Sequence, residues 1–293
     1  MSKNETSAEI MYKIYPDKGL IEFLEKYLKQ HRLQVNFYNM LCRSGRWEPA
    51  LGKNPQFKLC LVYVSLPMTL SRYQAAGISE NIFWDTMDDI RIWIDDYKSK
   101  SNKYGLDELN WIMLHMTLKI FKLGRLQFQP IKYYFPKPYK FHGRSVKFGD
   151  RVINLHIPRG EKLALEACRD SFKKAESFFS KKFPKYPTDF FVCHSWLLYS
   201  KNKLFMKSDS NIVKFADMFD IVCETENPSQ AYRWIFGERC DGIKQVRIRK
   251  KHGSYELPKS IDSFTSLQSS AVCYIKNGGT LGDAMAITIV KNN

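Results

Sequence analysis

The spacing of apolar residues changes once along this chain, near residue 122, and that change limits the possible folds more than any motif does. Before it, apolar side chains recur every three to four residues, the period of a helix with one buried face. Asp17 to His31 places Leu20, Ile21, Leu24 and Leu28 at that spacing. Phe57 to Ala76 is a second helix-length segment, with a break or kink expected at Pro67. Ser79 stands where an N-cap belongs, and Asn81 to Lys100 follows as an amphipathic helix. Its apolar face carries Ile82, Phe83, Met87, Ile90, Trp93 and Ile94, with Asp85, Asp88, Asp89, Asp95 and Asp96 largely outside it. Leu106 to Phe121 reads as a further helix, and no strand is expected before residue 123.

Beyond that point short extended runs alternate with helical ones. Leu126, Phe128 and the tract to Tyr134 are extended, Arg151–Ile157 is a strand, and Leu163–Phe183 is an amphipathic helix. Phe190–Leu198 and Asp220–Cys223 follow as strands, then helices at Pro228–Phe236 and Phe264–Ile275, and a last strand at Ala284–Val290. Strands interleaved with helices predict an α/β layered domain with a mixed sheet. The expected division is an all-α domain over residues 1–122 and an α/β domain over 123–293.

Charge follows the same division. Residues 1–120 hold 16 Lys and Arg against 14 Asp and Glu, whereas the remainder holds 30 against 16. A field that basic suits a phosphate-rich small molecule or a polyanion, and equally serves solubility. Its most basic stretch, 242–259, contains Lys244, Arg247, Arg249, Lys250 and Lys251, but no recognised nucleic-acid module accompanies it. Seven scattered cysteines without CxxC spacing read as reduced thiols. The polar stretch Met1–Ala8 has no apolar core of a secretory signal, and Leu59–Leu70 is too short to span a bilayer, so a cytoplasmic protein without membrane contact is expected. No HExxH, EF-hand loop, Walker loop or GxGxxG is present, and no metal site is expected.

Three segments carry a resemblance: Leu123-Gly-Arg-Leu-Gln-Phe-Gln129, Val152-Ile-Asn-Leu-His-Ile-Pro158 and Phe191-Val-Cys-His-Ser-Trp-Leu-Leu198. Phe83-Trp-Asp-Thr86 with Asp89, and Ser210-Asn-Ile212, add to it. From residue 20 or so onward, the chain resembles a bacterial family of acyltransferase-like proteins with a helical N-terminal domain and a GNAT-like C-terminal domain. The resemblance implies a GNAT-like N-acyltransferase fold and transfer of an acyl group from acetyl-CoA or another acyl-CoA to a small amine. It also implies that the pyrophosphate meets a loop between two parallel strands, here Pro158-Arg-Gly-Glu-Lys-Leu-Ala164, with Pro158, Arg159, Gly160 and Lys162 as the binding residues. This loop has one glycine where such enzymes carry several, which keeps open a second reading: a catalytically silent GNAT-like module that binds a nucleotide-like anion.

Acyl transfer to an amine needs a base for the ammonium and an acid for the departing thiolate. His156 and His194 lie on the two strands expected to border the cleft, and either can serve as the base or be a buried structural histidine. Alternation puts His194 and Trp196 on one strand face and Cys193 and Ser195 on the other, which disfavours a Cys193–His194 nucleophile pair. Tyr199 is the candidate acid, with a surface tyrosine as the plainer account. Trp196 can wall an acyl or substrate pocket, although a tryptophan in an aromatic strand is more often core. Arg125 and Gln127, on one face of the first strand, can hold a substrate carboxylate or simply anchor the helical domain, and Asn211 beside Ser210 reads as part of a helix cap or of the substrate site.

Overall fold

The computed structural model describes residues 5–141, 143–236 and 264–289, so the basic 242–259 stretch lies outside the described residues. The chain divides into two compact units, Met1–Pro130 with His156–Glu161, and Ile131–Leu155 with Lys162–Asn293.

The first unit is helical. The helix α1 (Ser7–Ile14) opens with a capping box in which Thr6 and Glu9 exchange side-chain and backbone bonds. Asp17 caps α2 (Lys18–Arg43), which runs on past the expected end at His31 but leaves helical geometry there, at φ −118° and ψ 21°. Asn54 caps α3 (Pro55–Ala75), whose first residue is a proline pre-set for a helix start. This helix passes through Pro67 without an assigned break. With 11 of its 21 residues buried, packing around the whole helix outweighs the one hydrogen bond that Pro67 removes. Ser79 precedes α4 (Glu80–Ser101), which ends at Asn102 in the left-handed region.

The expected helix Leu106–Phe121 is shorter in the structure. Only α5 (Leu109–Met116) is helical, and Leu118, at φ +58°, turns the chain into a strand. That strand, β1 (Phe121–Leu123), pairs antiparallel with β2 (Leu126–Lys132) in the register Phe121↔Phe128. A strand therefore precedes residue 123, contrary to the sequence reading. Helix and buried strand both read as apolar there, and only the left-handed turn separates them.

The second unit carries the α/β architecture. Strands β3 (Tyr139–Phe141) and β4 (Arg144–Val146) form a small antiparallel hairpin. The run β5 (Arg151–His156), α6 (Leu165–Lys182), β6 (Phe190–Ser195) is a strand–helix–strand crossover, and β5 and β6 are parallel with Asn154 opposite Val192. The last strand, β8 (Asp283–Ile289), lies antiparallel between β6 and β7 (Asp220–Thr225), and a bulge interrupts β7 between Ile221 and Cys223. The sheet is thus mixed, as expected. Alternation along β6 sends Phe190 and Val192 into a core with Tyr133, Phe135 and Ile287, while Phe191 stacks on Phe172 of α6 at 5.5 Å. Three short helices, α7 (Asn211–Ala216), α8 (Ser229–Phe236) and α9 (Ser266–Lys276), complete the unit.

Strand β6 ends three residues earlier than expected. Ser195 turns its hydroxyl onto the Leu197 amide and starts a short 3-10 helix, Trp196–Leu198. Trp196 therefore leaves the strand alternation that placed it on the His194 face.

Candidate functional site

Among the described residues, each unit holds a hydrogen-bonded network around a buried carboxylate. In the second, the His194 imidazole near the end of β6 places Nε2 3.1 Å from Asp283 Oδ1 on β8. Asp283 also accepts from the Thr225 hydroxyl at 2.8 Å, on the same oxygen. A carboxylate partner assigns the proton of His194 to Nε2, which leaves Nδ1 as an acceptor facing the Tyr134 hydroxyl at 3.4 Å. Asp283 is buried, whereas the His194 side chain keeps 28% of its surface and Tyr134 keeps 41%. Desolvation of its hydroxyl, with Cys193 and Asp283 nearby, pushes Tyr134 up to about 12. Thr225, Asp283, His194 and Tyr134 thus form one row, in which Asp283 is the buried member and Thr225 and Tyr134 are exposed residues at its two ends. Opposite His194 on β6, Cys193 is buried, and burial pushes its thiol well above the ordinary range. It does not pair with His194 as a nucleophile.

In the first unit the centre is Asp89 on α4. Its carboxylate accepts from Trp93 Nε1 at 2.9 Å, Trp111 Nε1 at 2.6 Å and Gln127 Nε2 at 2.8 Å. His115 lies beside it with Nδ1 3.0 Å from the Trp111 carbonyl, so Nδ1 donates and Nε2 accepts from Gln127 at 3.2 Å. Burial lowers the pKa of His115, against the pull of Asp89. His156 meets Gln129 Oε1 at 2.9 Å and stacks edge-on against Trp111. Loss of hydration, with His115 adding to it, pushes His156 down to about 3. The two candidate histidines therefore sit in separate networks of opposite character.

The remaining sequence-predicted residues are placed as follows. Gln127 is fully buried, and its Oε1 has no hydrogen-bond partner. Arg125 lies in the β1–β2 turn instead of the strand, because Gly124 takes φ +78° there, and its Nη2 donates to the Glu161 carbonyl at 2.8 Å. Pro158 and Gly160 are in the loop after β5, and Gly160 sits at φ +100° with open space where a side chain would project. Arg159 donates to Asp96 at 2.7 Å, and Lys162 is exposed. Tyr199 is buried, not a surface residue, with its hydroxyl 3.4 Å from Thr280 Oγ1. Together with Leu198, Asn202, Val213 and Phe219 it lines a cavity of about 160 Å³. Trp196 is buried too, its amide donating to Gln230. Asn211 is exposed at the first position of α7, where Ser210 accepts from the Val213 amide as the cap.

Sequence reasoning missed Asp283, Thr225 and Tyr134, which have no local motif: the pairing of β8 with β6 and β7 brings Asp283 to His194 and Thr225 to Asp283, and Tyr134 reaches His194 from the segment after β2. It also placed Asp89 largely outside the apolar face of its helix, although Asp89 is 3% exposed. Among the described residues no cluster of three or more His, Cys, Asp or Glu could hold a metal ion, and no helix is long and apolar enough to cross a membrane.

Two family models match the chain: one described as an N-acyltransferase N-terminal domain over residues 8–118, and one as a GNAT-like C-terminal domain over residues 120–287. No curated protein matches it. Among solved structures, an acyltransferase in complex with decanoyl-CoA and teicoplanin is similar with TM-score 0.64 and 19% identity, over 80% of this chain and 66% of that one. An acyltransferase in complex with CoA and 10C-teicoplanin is similar with TM-score 0.64 and 18% identity over the same shares. This chain spans 66% of the length of those neighbours, and at such identity the likeness is one of fold.

Proposed function

Since the chain belongs to the family with an N-acyltransferase N-terminal domain and a GNAT-like C-terminal domain, we propose that it transfers an acyl group from acyl-CoA to a small amine acceptor. The observation that carries this reading is the accessible imidazole of His194, backed by the buried carboxylate of Asp283. Acyl-CoA would supply the activated thioester, and the reading puts the protein in the cytoplasm, where that co-substrate is made. His194 Nδ1 takes the proton of the acceptor ammonium, directly or through the Tyr134 hydroxyl 3.4 Å away. The imidazolium that forms is held by Asp283, which Thr225 fixes in place. We assign the base to His194 in preference to His156, because a histidine pushed down to about 3 is a weak proton acceptor at neutral pH. Tyr134, whose hydroxyl faces His194, is the acid we favour over the enclosed Tyr199.

Pro158, Arg159, Gly160 and Lys162 are the proposed anion loop. What supports it is that Gly160, at φ +100°, leaves room for close approach and that two of the side chains are cationic. In this reading residues 1–122 form the helical domain and 123–293 the acyl-transfer domain, and Arg125, Gln127, Trp196 and Asn211 have the structural roles described above before any acceptor role.

Calorimetric titration of acetyl-CoA and decanoyl-CoA into the wild type and Arg159→Ala tests the proposal. Micromolar binding, weakened in the variant, and acylation of a model amine lost in His194→Ala are the expected results. A well-folded protein that binds no acyl-CoA would sink the acyltransferase reading and leave a GNAT-like scaffold for another ligand.

A further inference from the structure

The loop that the proposed function assigns to phosphate already holds an anion of the protein's own. Arg159 Nη1 is 2.7 Å from Asp96 Oδ1, and Lys100 Nζ, one turn along α4, is 2.8 Å from Asp96 Oδ2. The Asp96 side chain is 13% exposed against 41% for Arg159, so the carboxylate is the sheltered partner and the guanidinium the accessible one. Hydrogen bonds and charge from Lys100 and Arg159 hold Asp96 below the usual carboxylate range despite its burial. Two residues on, Lys122 Nζ is 2.8 Å from Glu161 Oε1, and Arg125 donates to the Glu161 carbonyl. The segment is therefore tied down on both sides of Gly160.

A carboxylate oxygen at that distance from a guanidinium stands where a phosphate oxygen would stand. We infer that Asp96 is an internal competitor for the anionic end of the co-substrate, so that acyl-CoA binds by exchange at Arg159 and Asp96 sets its affinity. The inference rests on the reading of 158–164 as the phosphate loop. Lys100 makes the exchange feasible: when Arg159 turns to the ligand, Asp96 is left with a cation at 2.8 Å and is not a buried unpaired charge. The more highly charged phosphate then competes with one carboxylate for a single arginine.

A double-mutant cycle tests it, with Asp96→Asn, Arg159→Ala and the double variant titrated with decanoyl-CoA at fixed salt. Asp96→Asn should bind about fivefold more tightly than the wild type, the size of one partly exposed charge-assisted hydrogen bond. The double variant should bind like Arg159→Ala alone. Asp96→Ser repeats the test should the asparagine variant melt at a lower temperature than the wild type. Unchanged or weaker binding by both folded Asp96 variants overturns the inference. So does a gain of equal size in the Arg159→Ala background, which would trace it to general charge. If the wild type binds and the coupling is zero, only this inference fails; if neither wild type nor Asp96→Asn binds any acyl-CoA, the phosphate-loop reading fails with it.

Discussion

Mild acid should destabilise this protein well before its carboxylates titrate, and His156 should account for much of that loss. The folded pKa of His156 is pushed down to about 3 by loss of hydration and by His115, whereas an unfolded histidine titrates near about 6.5. Between those values the unfolded chain binds a proton that the folded one does not, so stability falls as pH falls through this window and is unaffected above it. The slope is about 1.4 kcal/mol per pH unit for one such group. Going from pH 7.5 to 5 therefore costs about 2 kcal/mol through His156 alone. His115 is shifted in the same direction and adds to it. Asp17, Asp96 and Glu226 have lowered values, so their share of stability is lost only as pH falls through and below the ordinary carboxylate range, under the pH 5 end of this comparison. The comparison variant is His156→Gln, whose amide can still donate to Gln129 Oε1 but cannot titrate. Urea unfolding of both proteins at steps between pH 7.5 and 5 would measure the difference. Wild type should lose about 2 kcal/mol more than the variant, and the repulsion that grows with the chain's net charge of +16 cancels between them. Parallel curves, or a His156 NMR titration near the ordinary histidine value, would refute the reasoning.

Three further outcomes are expected. Asp89→Ala takes the acceptor from three N–H donors, of the half-buried Trp93 and Trp111 and the buried Gln127, and should cost about 3 kcal/mol in urea unfolding; a loss under about 1 kcal/mol would show that the network relaxes. Gly282→Ala sets a Cβ against the Thr225 carbonyl and 2.7 Å from the Tyr199 ring, so it should lower stability by about 1–3 kcal/mol and reduce acyl transfer through the Thr225–Asp283 contact, and an unchanged melting temperature would contradict it. His194→Ala should lower kcat by about 10²–10⁴ while melting within a few degrees of wild type; activity that survives the change would remove His194 as the base.

The sequence was most informative wherever one face of an element is buried and the other wet. Ser79 before α4 and Ser210 before α7 were legible as caps, and the crossover from β5 through α6 to β6 was legible from the change of period. The misreadings share a cause. Leu118 ends α5 by taking φ +58°, and Ser195 ends β6 by bonding the Leu197 amide; both are local backbone events inside runs that stay apolar. Composition along such a run does not change, so its periodicity carries no boundary. Of the candidate site, the residues standing on their own strand were found and their partners were not. Asp283 lies 89 residues from His194, and Tyr134 lies 60. Only the sheet register, with His194 opposite Met285 and Ser195 opposite Ala284, brings the β8 end to the imidazole. That register is a tertiary outcome with no trace in the spacing of either residue.

The two polar centres use the same residue types to opposite effect, which is the reason for assigning proton transfer to one of them. Around Asp89, three fixed N–H groups and a histidine of determined tautomer leave the carboxylate no role beyond accepting. Any proton entering there would charge His115 or His156 against burial that lowers both. The arrangement suits a rigid joint between α4, α5 and β2, and substitution there should read out as stability first. Around Asp283 the geometry is graded. The carboxylate is buried and receives two donors on one oxygen, the imidazole is partly accessible, and the phenol beyond it is more accessible still. A proton arriving at Nδ1 therefore meets a charge already positioned to hold it, with the Tyr134 hydroxyl 3.4 Å away. An Asp283→Asn substitution separates these roles: the amide oxygen can still accept from Nε2–H and Thr225, so His194 stays in place while the negative charge is gone. Loss of acyl transfer in that variant, with stability held, would locate the catalytic contribution in the charge; retained activity would assign Asp283 to positioning alone.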